Sequence, residues 1–138
     1  MILADSGVFI AAANTKDRHH QSCASFVREN RGSILVSPLV IAEVCFMIGK
    51  MRGVEAKAAF LDAFPAGVLT LATLVPADTR RMAQLMRKYS KLDLDAADTS
   101  IVALAERLRL DMVASIDRRD FAVIRPEHVD AFTLVPGL

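Results

Sequence analysis

Four carboxylates stand in this sequence where chemistry would explain them as readily as structure. Asp5 closes the apolar run Ile2-Leu3-Ala4, and Asp117 directly follows the run Met112 to Ile116. In open α/β sheets functional groups gather beyond the carboxyl ends of strands, which is where both acids fall. Taken singly, each is better explained as a cap on the following turn, the commoner work of such an aspartate. Glu43 is stronger. Its helical neighbours are Leu39, Val40, Phe46 and Met47, so a helix apolar nearly all round from Leu39 to Ile48 would bury it. An unpaired buried carboxylate is costly and calls for a cation, a donor or a proton. The alternatives are a salt bridge to a core-edge arginine, or a side chain snorkelling to solvent. Asp98 shares a stripe with Ile101, Val102 and Ala105 and so points inward, unless it is the capping-box partner of Asp95. Asp93 and Asp95 rank below it, as solvated or capping acids.

Acids that meet repel one another, by ~4 kcal/mol per close pair at an effective dielectric near 20. A divalent cation at the centre removes that cost. Oxygen-only ligands select hard ions, Mg²⁺ or Mn²⁺, over zinc. Carboxylates holding such ions are widely used for phosphodiester hydrolysis.

The elements that must position these acids are legible from pattern. Short, continuous apolar runs at Ile2–Ala4, Ile34–Val36, Val68–Thr73, Met112–Ile116 and Phe132–Val135 read as strands. Helices are predicted after Ser6, over His19–Glu29, from Ser37-Pro38 to about Met51, and over Val54–Phe64, Pro76–Lys88 and Asp95–Arg109. Strands of this kind alternating with helices imply a mainly parallel sheet covered on both faces, an α/β fold. The 138 residues suit a single domain over 1–138. With 53% hydrophobic and 24% charged residues, the chain is not disordered, collagen-like or a coiled coil. Its 17 basic and 16 acidic residues leave a net charge of +1, so nucleic acid would be held by a local patch or a metal rather than by bulk charge. Cys23 and Cys45 read as buried thiols in a reducing compartment. Asp5 interrupts the apolar start and no run approaches a membrane span, so neither a signal peptide nor a membrane is expected, and the predicted location is the cytoplasm.

Four segments occur in order: Met1-Ile-Leu-Ala-Asp5-Ser6, Ser37-Pro38 leading to Ala42-Glu43-Val44, Asp98-Thr-Ser-Ile-Val-Ala-Leu-Ala-Glu106, and Ser115-Ile-Asp117-Arg-Arg-Asp120-Phe121. Together they resemble the PIN-domain ribonucleases, and specifically the VapC toxins of bacterial toxin–antitoxin pairs. The resemblance spans nearly the whole chain, and it lies in the order and spacing of the motifs rather than in any one of them. It implies an α/β/α PIN sandwich, Mg²⁺-dependent endoribonuclease activity (with Mn²⁺ able to substitute), neutralisation by a small VapB antitoxin, and a homodimer. The family's acids fall on Asp5, Glu43, Asp98 and Asp117. Asp5, Asp98 and Asp117 would hold the ion, and Glu43 would orient the attacking water or act as its base. Hydrolysis would leave a 3′-hydroxyl and a 5′-phosphate. The accompanying hydroxyls fall on Ser6 and Ser115, while Gly7 replaces a second hydroxyl found in many relatives. Asp120 is a supporting acid or, on the better reading, a cap before Phe121. The RNA implied is a transfer or ribosomal RNA.

Weaker signals are His19-His20, read as solvated surface, and the basic residues Arg80, Arg81, Arg87, Lys88 and Lys91, which suit RNA phosphates or an ordinary solvated face equally. Arg118 and Arg119 beside Asp117 could also meet phosphate. Met47/Met51 and Phe60/Phe64 fit core or dimer contacts. Two rivals stand against the enzyme. A signalling receiver domain needs an acidic pair after the first strand and a late lysine, whereas Asp5 has no acidic neighbour and no lysine follows Lys91. A PIN scaffold without activity, serving as an RNA- or protein-binding module, is the better alternative.

Overall fold

The computed structural model describes all residues from Met1 to Leu138. In chain order the elements are β1 (Ile2–Ala4), α1 (Ser6–Ala12), α2 (His20–Glu29), β2 (Ile34–Val36), α3 (Pro38–Asp62), β3 (Leu69–Leu71), α4 (Pro76–Lys88), α5 (Ala96–Leu108), β4 (Met112–Ala114), α6 (Arg119–Val123) and β5 (Thr133–Val135), with a 3₁₀ turn at Ser90–Leu92. All strands run parallel in the order β3-β2-β1-β4-β5. Right-handed crossovers place α1–α3 over one face and α4–α6 over the other, giving three layers. Ile2, Leu3, Ala4, Ile34, Leu35 and Val36 are buried on both sides of the sheet, which is why these strands read as unbroken apolar runs.

The order turns at β1. Successive strands run one way to β2 and β3, then the other way to β4 and β5. A crevice opens at such a switch point, beyond the carboxyl ends of the two central strands. β1 and β4 pair directly, Leu3 against Val113 and Ala4 against Ala114, so Asp5 and Ser115 emerge side by side.

α3 begins where Ser37 caps Leu39 and Pro38 occupies the first turn. It is interrupted at Gly53, whose φ of 85° and ψ of −173° suit only glycine. The two helices expected from sequence are both present, joined at Gly53 without an intervening loop, and α3 names the pair. A Gly53→Ala variant has free space for its Cβ, so its cost is backbone strain alone. We expect a loss of about 1–3 kcal/mol, seen as a lower melting temperature, with unchanged activity per folded molecule.

α3 is not buried all round. Val40, Val44 and Ile48 form one inward stripe, while Phe46 is 65% and Val54 73% exposed, and Met47 and Met51 also face outward. The expectation of a fully buried helix is corrected: α3 lies on the sheet as an outer layer, so one stripe suffices for the core. Phe60 packs between two rings, with Phe9 at a centroid distance of 5.3 Å and Phe64 at 5.6 Å.

α5 is buried along most of its length and is fixed by two ion pairs from α4. Arg107 grips the buried Asp78 through both carboxylate oxygens, at 2.9 and 3.0 Å, and Arg81 grips Glu106 at 2.7 and 3.0 Å. A buried hydroxyl pair joins α5 to α3. Ser37 Oγ and Ser100 Oγ are 2.7 Å apart, and Ser100 donates its proton to the Ala97 carbonyl, so Ser37 donates to Ser100.

Candidate active site

The crevice beyond β1 and β4 collects carboxylates from three elements. Asp5 sits between β1 and α1 and serves as the α1 cap, Oδ1 accepting from the Ser6 backbone N–H at 2.8 Å. Its Oδ2 faces the Ser115 hydroxyl at 3.4 Å, and Ser115 donates more closely to the Asp117 carbonyl at 2.9 Å. Capping and a place in the site are thus compatible for Asp5, each using one oxygen. Glu43 arrives from the second turn of α3, half-buried, with the Ser6 hydroxyl in hydrogen-bonding reach. Asp98 arrives from the first turn of α5.

The electrostatics show that these side chains share one space. Burial raises the Asp5 carboxyl above its ordinary value, and the charges of Asp95 and Asp117 add to the rise. Burial also raises Glu43, followed by repulsion from Asp95 and Asp5. Asp98 is pushed up to about 8, first by burial and then by the charges of Asp5 and Asp95, with Glu43 contributing. Glu43 and Asp98 are thus destabilised as anions by Asp5, and all three acids by Asp95. Asp98 is not the second half of a capping box. Asp95 accepts the Asp98 backbone N–H at 2.8 Å, and the Asp98 carboxylate is left to face the cluster.

Asp117 is placed differently. The strand ends at Ala114, so Asp117 lies beyond Ser115 and Ile116 rather than at the strand tip. Its carboxylate is 65% exposed and held in a two-pronged pair by Arg119, at 3.0 and 2.8 Å, which pulls its pKa down. Asp95, ranked low from sequence, bears on Asp5, Glu43 and Asp98 through its charge. The overlooked signal was position: the cap of the helix carrying Asp98 must lie at the same end of the crevice.

Several basic residues are already engaged. Arg118 holds the Ser115 and Pro136 carbonyls, and Arg81 holds Glu106, so neither is a free phosphate contact. Arg80, Arg87, Lys88 and Lys91 remain exposed. His20 is half-buried and ties α2 to α1 through Nδ1 and the Ala11 carbonyl at 3.0 Å, rather than being simply solvated. Asp93 is an exposed turn residue at φ 51°.

A doubly wound parallel sheet with an acidic crevice at its switch point defines the class. The chain belongs to the PIN-domain family, whose profile matches residues 2–125. It is 27% identical to Ribonuclease VapC26 of Mycobacterium tuberculosis over 135 residues, covering 98% of this chain and all of that one. Among solved structures it superposes on Mycobacterium tuberculosis VapC20, a sarcin–ricin loop cleaving toxin, with a TM-score of 0.81 at 15% identity, covering 94% and 99% of the two chains. A toxin–antitoxin complex from Klebsiella pneumoniae matches with a TM-score of 0.69 at 18% identity, over 99% and 97% of the chains. VapBC2 of Rickettsia felis, bound to a promoter DNA fragment, gives 0.69 at 16% identity, over 99% and 100%. At these identities the structures establish the fold alone.

Proposed function

We propose that this chain, a single domain over 1–138, is a Mg²⁺-dependent endoribonuclease of the VapC toxin type, working in the cytoplasm and neutralised by a VapB-type antitoxin. The observation that carries the reading is the convergence of Asp5, Glu43 and Asp98 at the switch point. Their all-oxygen donor set suits a hard cation. No group of three His, Cys, Asp or Glu side chains stands close enough to grip one ion directly. That arrangement fits Mg²⁺, which keeps several waters and takes only one or two carboxylates. When bound, the ion supplies charge stabilisation on the phosphate and a water of lowered pKa.

The chain's own residues do the rest. Asp5 and Asp98 carry the negative charge that holds the ion in the crevice. The Ser6 N–H holds one oxygen of Asp5 and so orients the carboxylate, leaving the other oxygen towards the crevice. Glu43, whose raised pKa makes it a stronger base than an exposed glutamate, accepts the proton of the attacking water. Attack in line leaves a 3′-hydroxyl and a 5′-phosphate. Asp117 contributes as a ligand only after leaving Arg119, and so exposed a pair is weakly held because water screens it. Exposed Arg80, Arg87, Lys88 and Lys91 are available to RNA phosphates, the substrate being a transfer or ribosomal RNA. The outward apolar face of α3, with Phe46, Met47, Met51 and Val54, supports a homodimer. No helix is long and apolar enough to cross a membrane.

Cleavage of total RNA with Mg²⁺ and its absence with EDTA tests the enzyme against the inactive scaffold. No cleavage of any RNA in either condition favours the scaffold. The antitoxin reading has its own test. An acidic crevice suits a basic side chain, and arginine meets carboxylates with a two-pronged fork. We expect the antitoxin to insert Arg or Lys towards Asp5, Glu43 and Asp98. Replacing those antitoxin side chains with alanine should weaken inhibition, and full inhibition with unchanged affinity would reject the contact.

A further inference from the structure

We propose that the cavity between the end of α1 and the break in α3 is a phosphate subsite for the RNA strand, with Lys16 and Arg52 as its charged contacts and Asn14 and Thr15 as neutral donors. The inference rests on the RNA-cleaving reading above. It adds a contact on the α1–α3 layer, away from the exposed bases of α4.

The cavity has a volume of about 430 Å³ and is lined by Asn14, Thr15, Lys16, Met51 and Arg52. Each of its polar side chains can donate a hydrogen bond, and none is acidic. The two charges are not spent elsewhere. The chain's ion pairs join Arg81 to Glu106 and Glu127, Arg107 to Asp78 and Arg119 to Asp117, and neither Lys16 nor Arg52 takes part in one. The neighbouring Asp17 is outside the lining, and one of its oxygens accepts the His19 backbone N–H at 2.8 Å. The donors are also held in place. Arg52 Nη1 donates to the Ala13 carbonyl at 2.8 Å, which fixes the guanidinium against the end of α1 and leaves its other N–H groups free. Asn14 Oδ1 accepts the Lys16 backbone N–H at 3.1 Å, so the amide Nδ2 is the end left open.

A lining of donors with two positive charges suits an anion that offers several acceptor oxygens, and guanidinium and ammonium groups both serve phosphate in this way. The place in the fold selects which phosphate. α1 starts beside Asp5 in the crevice, and α3 passes Glu43 before it reaches Met51 and Arg52, so both helices run from the crevice to the cavity. α1 spans seven residues, which sets the two about 10 Å apart along the helix. That distance is roughly three nucleotides of a stacked strand. A strand with one phosphate at the crevice therefore reaches the cavity with another. Such contacts position a nucleic acid without reading its sequence. Met51 supplies the one apolar wall, against which a ribose or a base can lie. Capping of α1 by Arg52 explains its bond to Ala13, but it does not explain an open cavity that also collects Lys16, Asn14 and Thr15.

Binding of a labelled single-stranded RNA, followed by fluorescence anisotropy in EDTA across a salt series, tests the subsite apart from cleavage. Lys16→Gln and Arg52→Gln should each weaken binding roughly 3–10-fold and make the slope of log affinity against log salt shallower by ~0.7. Lys16→Arg keeps the charge and should bind RNA as the unmodified chain does. With Mg²⁺ present, Lys16→Gln should raise KM for cleavage rather than lower kcat, because the contact holds substrate and transition state alike. Lys16 enters the hydrogen bonding through its backbone only, so Lys16→Gln should melt as the unmodified chain does. Arg52→Gln loses the bond to Ala13 and should melt lower, so its affinity is read well below its melting temperature. Unchanged affinity and salt slope in both glutamine variants overturn the inference and leave the nuclease reading standing. Inorganic phosphate, titrated by calorimetry at fixed ionic strength, separates the two sources of phosphate. If it binds the unmodified chain and not Lys16→Gln, while both glutamine variants bind RNA normally, the cavity takes a free anion and the inference fails. If the unmodified chain binds no RNA at all, the nuclease reading fails and this inference with it.

Discussion

Asp5→Asn and Asp98→Asn are each expected to abolish RNA cleavage and toxicity while the chain stays folded. Both side chains lie where the sheet's order turns, and both face the same crevice from different elements. Removing either anion takes away part of the field that holds the cation, and a bound metal contributes several kcal/mol of transition-state stabilisation. At ~1.4 kcal/mol per factor of ten, the loss should exceed ~100-fold. Asparagine preserves size and hydrogen bonding, so Asp5→Asn can still cap α1 and a stability loss should not confuse the result. Asp93→Asn is the matched control: it sits in an exposed turn and should leave cleavage within a few-fold. His20→Ala should lower the melting temperature by loosening α2 from α1, yet leave activity per folded molecule unchanged. Retained cleavage in both acid variants would reject the metal-site reading.

Asp98→Asn should also make the metal-free protein more stable at neutral pH. The Asp98 carboxyl is held at about 8 in the fold against an ordinary 3.8, so folding favours its protonated form. That contribution is complete below about pH 4 and is lost as pH climbs towards 8. Asp5 and Glu43 are raised too and act in the same direction. In EDTA, the unmodified chain should therefore melt progressively lower between pH 4 and 8, by more than about 5 °C. The variant should show a much shallower slope and melt higher at pH 7. Mg²⁺ reverses the order, because an ion at a hundredfold excess over its dissociation constant adds ~2.7 kcal/mol to the unmodified chain. The variant should gain far less. Equal Mg²⁺ shifts, or a variant that melts lower without metal, would assign Asp98 to helix capping instead.

The strands and the long helices were legible because their causes are local. Ile34-Leu35-Val36 has no polar residue to offer solvent, and Ser37-Pro38 announces a helix start wherever it is placed in space. The short α6 was not legible: Arg119–Val123 has no cap signal, and it forms where Phe121 is drawn into the core. Burial around α3 was misjudged for a related reason. Phe46 and Met47 are as apolar as Val44, and only the arrangement of neighbours decides which of them faces the core. Among the acids, sequence position placed Asp5, Glu43 and Asp98 at the right end of their elements. It could not show that Arg119 would fold back on Asp117, since that depends on side-chain rotamers after the strand has ended. Nor could it show that Asp95 shares a crevice with Glu43, which lies on a different helix.

The Ser37–Ser100 hydroxyl pair has a mechanical consequence. It pins the starts of α3 and α5 to each other, so Glu43 and Asp98 are both suspended from one fixed point, within two turns of it. Displacements grow with distance from a pivot, and the acids sit where the lever arms are shortest. Beyond Gly53, the rest of α3 hangs from a joint rather than a rigid rod. A partner seated on that outer segment could bend it while the spacing of the acids stayed the same. The outward face of α3 and the acidic crevice can thus accept sequence change independently.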